Sequence, residues 1–146
     1  YGGDFSAGTE LDRLKAKIGY AYTGAKFFDA PTARWEDLAL RVHHRGTAYT
    51  SYRIPVIETE IALNMQWNSP QLLTAKTAYY TPDYFMVGLD ISKKFLDEKL
   101  EIYIALDNML NNIHFIKGTN NETQKQYYGL TDGLILRFGG KYTFQN

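Results

Sequence analysis

The chain has 146 residues with 16 basic and 16 acidic side chains, so its formal net charge is zero. This balance gives no electrostatic basis for binding nucleic acid. The chain contains no cysteine, which excludes disulfides, thiolate metal sites and a cysteine nucleophile. It has no apolar run of about 18 residues, which excludes a transmembrane helix.

Alternation of apolar and polar side chains at period two predicts about six antiparallel strands. The first, over residues 14–22, has lysines on one face and a tyrosine-rich end. In the second, Gly46 could mark a bulge or bend. The remaining strands are predicted with clear alternation. The predicted strands cover residues 14–22, 38–52, 57–67, 84–92, 100–107 and 134–144.

The last predicted strand shows the pattern most clearly. One face would carry an apolar row closed by aromatic residues, namely Leu134, Leu136, Phe138, Tyr142 and Phe144. The opposite face would carry Arg137 and Lys141. An apolar band ending in an aromatic girdle is typical of outer-membrane barrel strands.

The connections between the predicted strands alternate in length. Those around residues 24–35, 68–82 and 111–129 are long, whereas those at residues 53–56 and 96–99 are short. Transmembrane barrels have short periplasmic turns and longer extracellular loops. Together with aromatic residues at the strand ends and charged polar faces, this favours a transmembrane β-barrel. The same binary pattern also suits a soluble barrel or β-sandwich with its apolar face turned inward.

The predicted fold class is therefore all-β, an antiparallel transmembrane barrel of which this chain forms about six strands. The charged residues of the polar faces become candidates for lining the lumen. These are Lys15, Lys17, Arg41, Glu58, Glu60, Asp90, Glu101, Asp107, Arg137 and Lys141. Four tyrosines of the long loops, Tyr79, Tyr80, Tyr127 and Tyr128, are candidate ligand contacts, although anchoring at the membrane interface explains them equally well.

No catalytic, metal or cofactor site is predicted. His43 and His44 are adjacent, and adjacent strand residues point to opposite faces, so they should not hold one ion together. Glu58 and Glu60 should share a face. Carboxylates on a polar barrel wall more often pair with basic residues of neighbouring strands, such as Lys15 or Arg137, than act in acid–base catalysis.

The second half of the chain resembles the end of the barrel in TonB-dependent outer-membrane receptors. The matching motifs are Ile91-Ser92-Lys93-Lys94-Phe95-Leu96 and the asparagine-rich Asp107-Asn108-Met109-Leu110-Asn111. Residues 52–71 resemble the preceding hairpin, and Gly139-Gly140-Lys141-Tyr142-Thr143-Phe144 resembles a barrel assembly signal. The likeness covers most of residues 50–144. It implies that residues 1–146 are a C-terminal barrel segment without the plug domain and N-terminal strands.

The resemblance implies a role in importing a scarce nutrient, such as a metal chelate, vitamin or glycan, across the cell outer membrane. The implied partners are outer-membrane lipid, the remaining strands and plug of the same receptor, and an inner-membrane energy-coupling protein. A surface lipoprotein could contact the long loops. A passive or structural barrel in an envelope assembly, and a soluble β-sandwich binding module, are the alternatives.

Overall fold

The computed structural model describes residues 1–39, 41–74, 79–113, 115–117, 127–129 and 132–144. In this part of the chain the secondary structure is almost entirely antiparallel β-sheet. The elements are β1 (Gly2–Leu11), β2 (Leu14–Thr23), β3 (Lys26–Asp29), β4 (Arg34–Asp37), β5 (His44–Ile54), a 3-10 turn (Pro55–Ile57), β6 (Thr59–Asn68), β7 (Leu72–Thr74), β8 (Tyr79–Tyr80), β9 (Tyr84–Phe95), β10 (Leu100–Asp107), β11 (Phe115–Lys117), β12 (Tyr127–Gly129) and β13 (Ile135–Tyr142).

Seven long strands form one sheet in the order β1-β2-β5-β6-β9-β10-β13. Each strand pairs antiparallel with its neighbours, and every pair is adjacent along the chain once the small hairpins are set aside. The all-β, antiparallel prediction is therefore confirmed at this level. Within the described residues β1 and β13 do not pair with each other, so the sheet has two edges and is not a closed barrel.

The predicted alternation of connection lengths is confirmed. Residues 12–13, 55–58 and 96–99 make the short turns at one end of the sheet. The long connections at the other end carry three two-stranded hairpins, β3-β4, β7-β8 and β11-β12. These hairpins were not predicted, because their strands have only two to four residues and show no sustained alternation.

The number of long strands was underestimated. The sequence pattern predicts no strand before residue 14, yet β1 lies there. It pairs with β2 from Gly2 opposite Thr23 to Leu11 opposite Leu14. Its sequence contains three glycines, a serine and an aspartate, which have low β propensity and interrupt the apolar alternation. Pairing with the strongly patterned β2 compensates for these weak local preferences.

The second predicted strand begins later than expected. Residues 38, 39 and 41–43 precede β5, which starts at His44; Leu40 lies outside the described residues. Gly46 is not at a bulge, because it continues the regular register between Tyr20 and Trp67. A Cβ atom at Gly46 would lie 3.6 Å from the Trp67 ring, so the indole covers the space beside the glycine. The aromatic residue replaces the packing that the glycine lacks.

The two faces of the large sheet differ in chemistry and burial. On one face the apolar side chains are exposed, with Phe138 at 83% and Ile104 at 49%. On the other, which is polar, even the small side chains of Ala62 and Ala105 are covered, at 7% and 3% exposure. Leu72 and Tyr84 are the other buried hydrophobic residues of the described chain. The burial pattern is thus the reverse of that expected for a sheet packed on an apolar core.

Aromatic residues mark both ends of the exposed apolar face. Towards the long connections, the register places Phe5, Tyr20, Trp67 and Phe85 in one row, with Gly46 between Tyr20 and Trp67. The Trp67 Nε1 atom donates a hydrogen bond to Asp83 at 3.2 Å, so its polar end has an acceptor.

At the opposite end, Tyr52, Phe95, Tyr142 and Phe144 lie near the short turns or the end of β13. The Tyr142 and Phe144 rings meet edge to face at 4.8 Å, and Lys93 Nζ lies 5.1 Å from the Phe95 ring centre. Ten residues of β9 separate Phe85 from Phe95, about 33 Å along the strand. At a strand tilt of about 40° this spans about 25 Å, the height of the apolar band in outer-membrane barrels.

Candidate functional site

The polar face of the sheet collects most of the predicted lumen residues. Eight of the ten lie on it, in β2, β6, β9, β10 and β13. They are Lys15, Lys17, Glu60, Asp90, Glu101, Asp107, Arg137 and Lys141. Among these eight, the register places Glu101 directly opposite Lys141, and it sets Asp90 and Arg137 on either side of Ala105.

Two predicted lumen residues lie outside the strands. Glu58 follows the 3-10 turn with a left-handed backbone, φ 49° and ψ 38°, so it does not share a strand face with Glu60. Arg41 precedes β5 instead of lying within it. Glu58 was wrongly placed on a strand face because Pro55 interrupts the alternation before β6. Arg41 was wrongly placed within a strand because β5 begins only at His44, yet it borders a depression at the loop end of the polar face, together with Ala21, Thr23 and Arg45.

Cross-strand ion pairing on the polar face is confirmed for Arg137, whose Nε lies 2.7 Å from the Asp107 carboxylate while a terminal nitrogen donates to it at 2.8 Å. This two-pronged geometry is the stronger kind of arginine–carboxylate contact. Asp90 accepts a hydrogen bond from the Asn64 amide. Lys15 pairs with Glu10 at 3.0 Å, a partner missed because β1 was not predicted.

The centre of the polar face contains a depression of ≈ 390 Å³ that crosses β2, β5, β6, β9 and β10. Thr47, Tyr49, Asn64 and Gln66 supply hydroxyl and amide groups to it, and Lys17 supplies a cation. Gly88 also lines the depression, and a Cβ atom there would lie only 3.3 Å from the Leu106 carbonyl oxygen, so the two strands approach closely at this point. The hydroxyl, amide and ammonium groups can hold a polar molecule or ordered water through hydrogen bonds.

An asparagine cluster closes the loop end of β10. The buried side chain of Asn108 donates to the carbonyl oxygens of Asn112, at 3.2 Å, and Asp132, at 2.6 Å, and accepts from the Asn112 amide at 3.1 Å. Asn111 accepts from the Leu134 amide at 3.0 Å. Asn112 donates to the Phe85 carbonyl oxygen at 2.6 Å. The cluster therefore fastens both ends of the connection between β10 and β13, and also the start of β9.

Backbone conformation explains the residue type in this cluster. Asn108 and Asn111 have φ values of 50° and 49°, in the left-handed region that asparagine tolerates better than most residues. The asparagine-rich segment thus combines a permitted backbone with side-chain hydrogen bonds to neighbouring main chain.

His43 and His44 are not two residues of one strand, because β5 begins at His44. His43 lies just before β5, and both imidazole rings lie beside Tyr22, at 6.4 Å and 5.1 Å between ring centres. His44 Nδ1 is 2.6 Å from the Tyr20 hydroxyl. The expected separation onto opposite faces was therefore wrong. Among the described residues there is no group of three or more His, Cys, Asp or Glu that could hold a metal ion.

Of the four loop tyrosines, Tyr80 is 61% exposed in β8 and free to contact a ligand. The backbones of Tyr79, Tyr127 and Tyr128 lie in β8 and β12. Their side chains lie outside the described part of the structure, so the prediction that they contact ligand stays a prediction.

In the described ranges, no helix has the length and apolar character needed to cross a membrane. Comparisons with protein families, with characterised proteins and with solved structures find no match.

Proposed function

We propose that the seven-stranded sheet is part of the transmembrane wall of a β-barrel in the cell outer membrane. We further propose that this barrel belongs to a receptor of the TonB-dependent kind, which imports a scarce nutrient such as a metal chelate, a vitamin or a glycan. The apolar face would meet lipid, the polar face would line the lumen, and the long connections would face the outside.

The observation that carries the proposal is the unpartnered apolar face. Soluble monomers rarely expose a continuous apolar patch of more than a few hundred Å². Here exposed Phe, Ile, Leu and Tyr side chains extend over all seven strands, whereas Ala62 and Ala105 on the polar face are covered. Lipid would take these side chains out of water at about 25 cal/mol per Å² of apolar surface.

Strand length supports the same environment. The seven strands have 8 to 12 residues, and a tilted strand needs about 9–11 to cross the hydrocarbon layer. The aromatic rows about 25 Å apart would then lie at the two interfaces, with Lys93 beside Phe95 reaching towards water at the short-turn side.

The two sheet edges require partners in this setting. Inside hydrocarbon every backbone donor and acceptor needs a hydrogen bond, and only a closed barrel provides them all. The smallest usual barrels have about eight strands. We propose that further strands of the same receptor pair with β1 and β13, while its plug and the inner-membrane energy-coupling protein drive transport.

Folding in different solvents tests the membrane proposal. The urea-unfolded chain of residues 1–146 is diluted into buffer or into detergent micelles and followed by far-UV circular dichroism. We expect a stable β-sheet spectrum only in micelles. A monodisperse, β-rich monomer in buffer would contradict the proposal and support a soluble β-sandwich module.

The receptor part of the proposal needs a separate test. A plug domain encoded upstream in the same gene would support nutrient import. A complete gene that encodes a barrel without a plug would favour a passive or structural barrel in an envelope assembly.

A further inference from the structure

A second depression, of ≈ 310 Å³, lies at the end of the polar face next to the long connections. Its lining consists of Ala21, Thr23, Arg41, Val42 and Arg45. The two β2 side chains are short, which leaves room beside them. Two arginines thus border one open space, together with the hydroxyl group of a threonine.

Both arginines lack a carboxylate partner within the part of the chain that the structure describes. This separates them from Arg13, Arg53 and Arg137, each of which forms an ion pair. The register places the acid Asp4 on the same face, but two strands away from Arg45, with Ala21 between them. Two strand spacings correspond to about 10 Å between the two backbones, and in the described part of the chain Asp4 forms no ion pair with either arginine.

The backbone that carries the arginines is held on both sides. The Thr23 amide donates to the His43 carbonyl oxygen at 2.8 Å, which fixes the segment after Arg41 against β2. On the other side, the His44 amide donates to the Ser69 hydroxyl at 3.1 Å, and the Ser69 amide donates back to the His44 carbonyl oxygen at 2.9 Å. The backbone at residues 43 and 44, between the two arginines, is therefore held by hydrogen bonds to β2 on one side and to Ser69 on the other.

Arg45 is also oriented through its side chain. Its Nε donates to Asn68 Oδ1 at 3.3 Å, which leaves the two terminal nitrogens of the guanidinium available. Asn68 is fully buried and also accepts from Gln66 at 3.0 Å. Its Nδ2 has no acceptor among the described atoms, so this end of the sheet has hydrogen-bond donors in excess.

We infer that Arg41 and Arg45 form a binding site for an anionic group, a phosphate or a carboxylate, on the ligand that this face receives. A guanidinium presents a planar fork of donors that matches both groups, and it keeps its charge at any physiological pH. Two such forks without internal counter-ions, set in an open depression, favour an anion over a neutral ligand. The inference rests on the proposed function, in which the ligand enters the lumen from the end of the sheet that carries the long connections.

Titration calorimetry with inorganic phosphate and with citrate tests the site at low ionic strength, on the folded chain of residues 1–146. We expect saturable binding of at least one of the two, and the comparison identifies the preferred group. Arg41→Gln and Arg45→Gln should each weaken it about 10- to 100-fold, the loss of a hydrogen bond to a charged group. About 0.5 M NaCl should weaken it as well, through screening.

The matched control is Arg34→Gln, which removes an exposed arginine of β4 outside the depression and should leave binding unchanged. Arg41→Lys should retain part of the affinity. Within the described chain the Arg41 side chain forms no hydrogen bond or ion pair. Its replacement therefore tests the site even where loss of the Arg45–Asn68 bond disturbs folding.

The outcomes separate this inference from the proposed function. The titration is run in whichever solvent gives the β-sheet spectrum. Folding without detergent contradicts the membrane proposal alone. A folded chain that binds neither anion, or that loses binding equally with Arg34→Gln, overturns the anion site alone.

Discussion

Ile104 and Ala105 are neighbours in β10 with opposite surroundings. Ile104 lies in a row with Ile91 and Phe138 on the exposed apolar face. Ala105 lies between Asp90 and Arg137 on the polar face and is 3% exposed. Adjacent residues of one strand therefore lie on the apolar and the polar face. The assignment of each face can be tested by substituting single residues.

Ile104→Arg places a charge near the middle of the proposed lipid face. We expect it to lower the free energy of unfolding from micelles or lipid by about 2–4 kcal/mol, measured by urea titration. The matched control is Asn64→Arg, on the polar face, where the side chain is exposed and lies beside Asp90. Ala105 is unsuitable as the control because a large side chain cannot fit there. Equal losses at residues 104 and 64 would show that the face assignment is wrong.

Much of this residue pattern could be predicted from sequence, because alternation assigns each residue of a regular strand to one of two faces. It failed at Arg41, Glu58 and His43, where the strand had not begun and alternation has no meaning. Arg45 was not predicted as a site residue for the same reason, since the register after His44 could not be fixed. Its role depends on neighbours from β2 and β6, and only tertiary structure brings these together.

At the level of elements, the turn at residues 96–99 joins β9 to β10 and also contacts the end of β5. Glu98 pairs with Arg53 at 3.1 Å and with Lys94 at 3.2 Å, which links the 96–99 turn to the end of β5. Hydrogen bonds from Lys94 and then Arg53 hold the pKa of Glu98 below its usual value. Leu96, Asp97 and Glu98 all have positive φ, between 53° and 66°. The ion pairs thus stabilise a turn with an uncommon backbone.

The pH dependence of this turn follows from the sign of the shift. A carboxyl whose pKa is lower in the folded state stabilises that state above its unfolded pKa, about 4.3, and the stabilisation is lost as pH falls through the folded pKa. We expect Glu98→Gln to lower the urea midpoint at pH 7, and the difference from the unmodified chain to shrink as pH falls through the folded pKa of Glu98. The control is Asp97→Asn, which removes a carboxylate from the same turn. Within the described chain this carboxylate forms no ion pair. A pH-independent difference for Glu98→Gln would contradict the role of these contacts.

The elements differ in how visible they are in the sequence. β6, β9, β10 and β13 carry the clearest apolar alternation and were predicted within a few residues. β1 was missed because glycine and serine replace apolar residues at several positions, so its strand character comes from pairing with β2. The small hairpins of the long connections depend on contacts that no short sequence window contains.

For the whole molecule, the two aromatic rows bound an apolar band, and in the proposed membrane setting the height of this band determines the bilayer thickness that fits it best. Hydrophobic mismatch costs fractions of a kcal/mol per Å, and it accumulates over many strands. We expect the chain to fold with the highest yield in phosphatidylcholine vesicles whose hydrocarbon layer is about 25 Å thick. Yield is measured by far-UV circular dichroism across a series of acyl-chain lengths. A yield that is independent of thickness would argue against interfacial anchoring by these rows.

The asparagine cluster at the end of β10 bears on how the sequence of this connection can vary during evolution. Asn108, Asn111 and Asn112 secure the main chain where the β10–β13 connection leaves the sheet and where it returns, at Asp132 and Leu134. These two points are held by asparagine side chains and by main-chain groups of the described residues. The connection between them can therefore change in sequence or length while β10 and β13 keep their register. Under the proposed function, the surface that meets ligand can diversify at this connection without a change in the sheet that displays it.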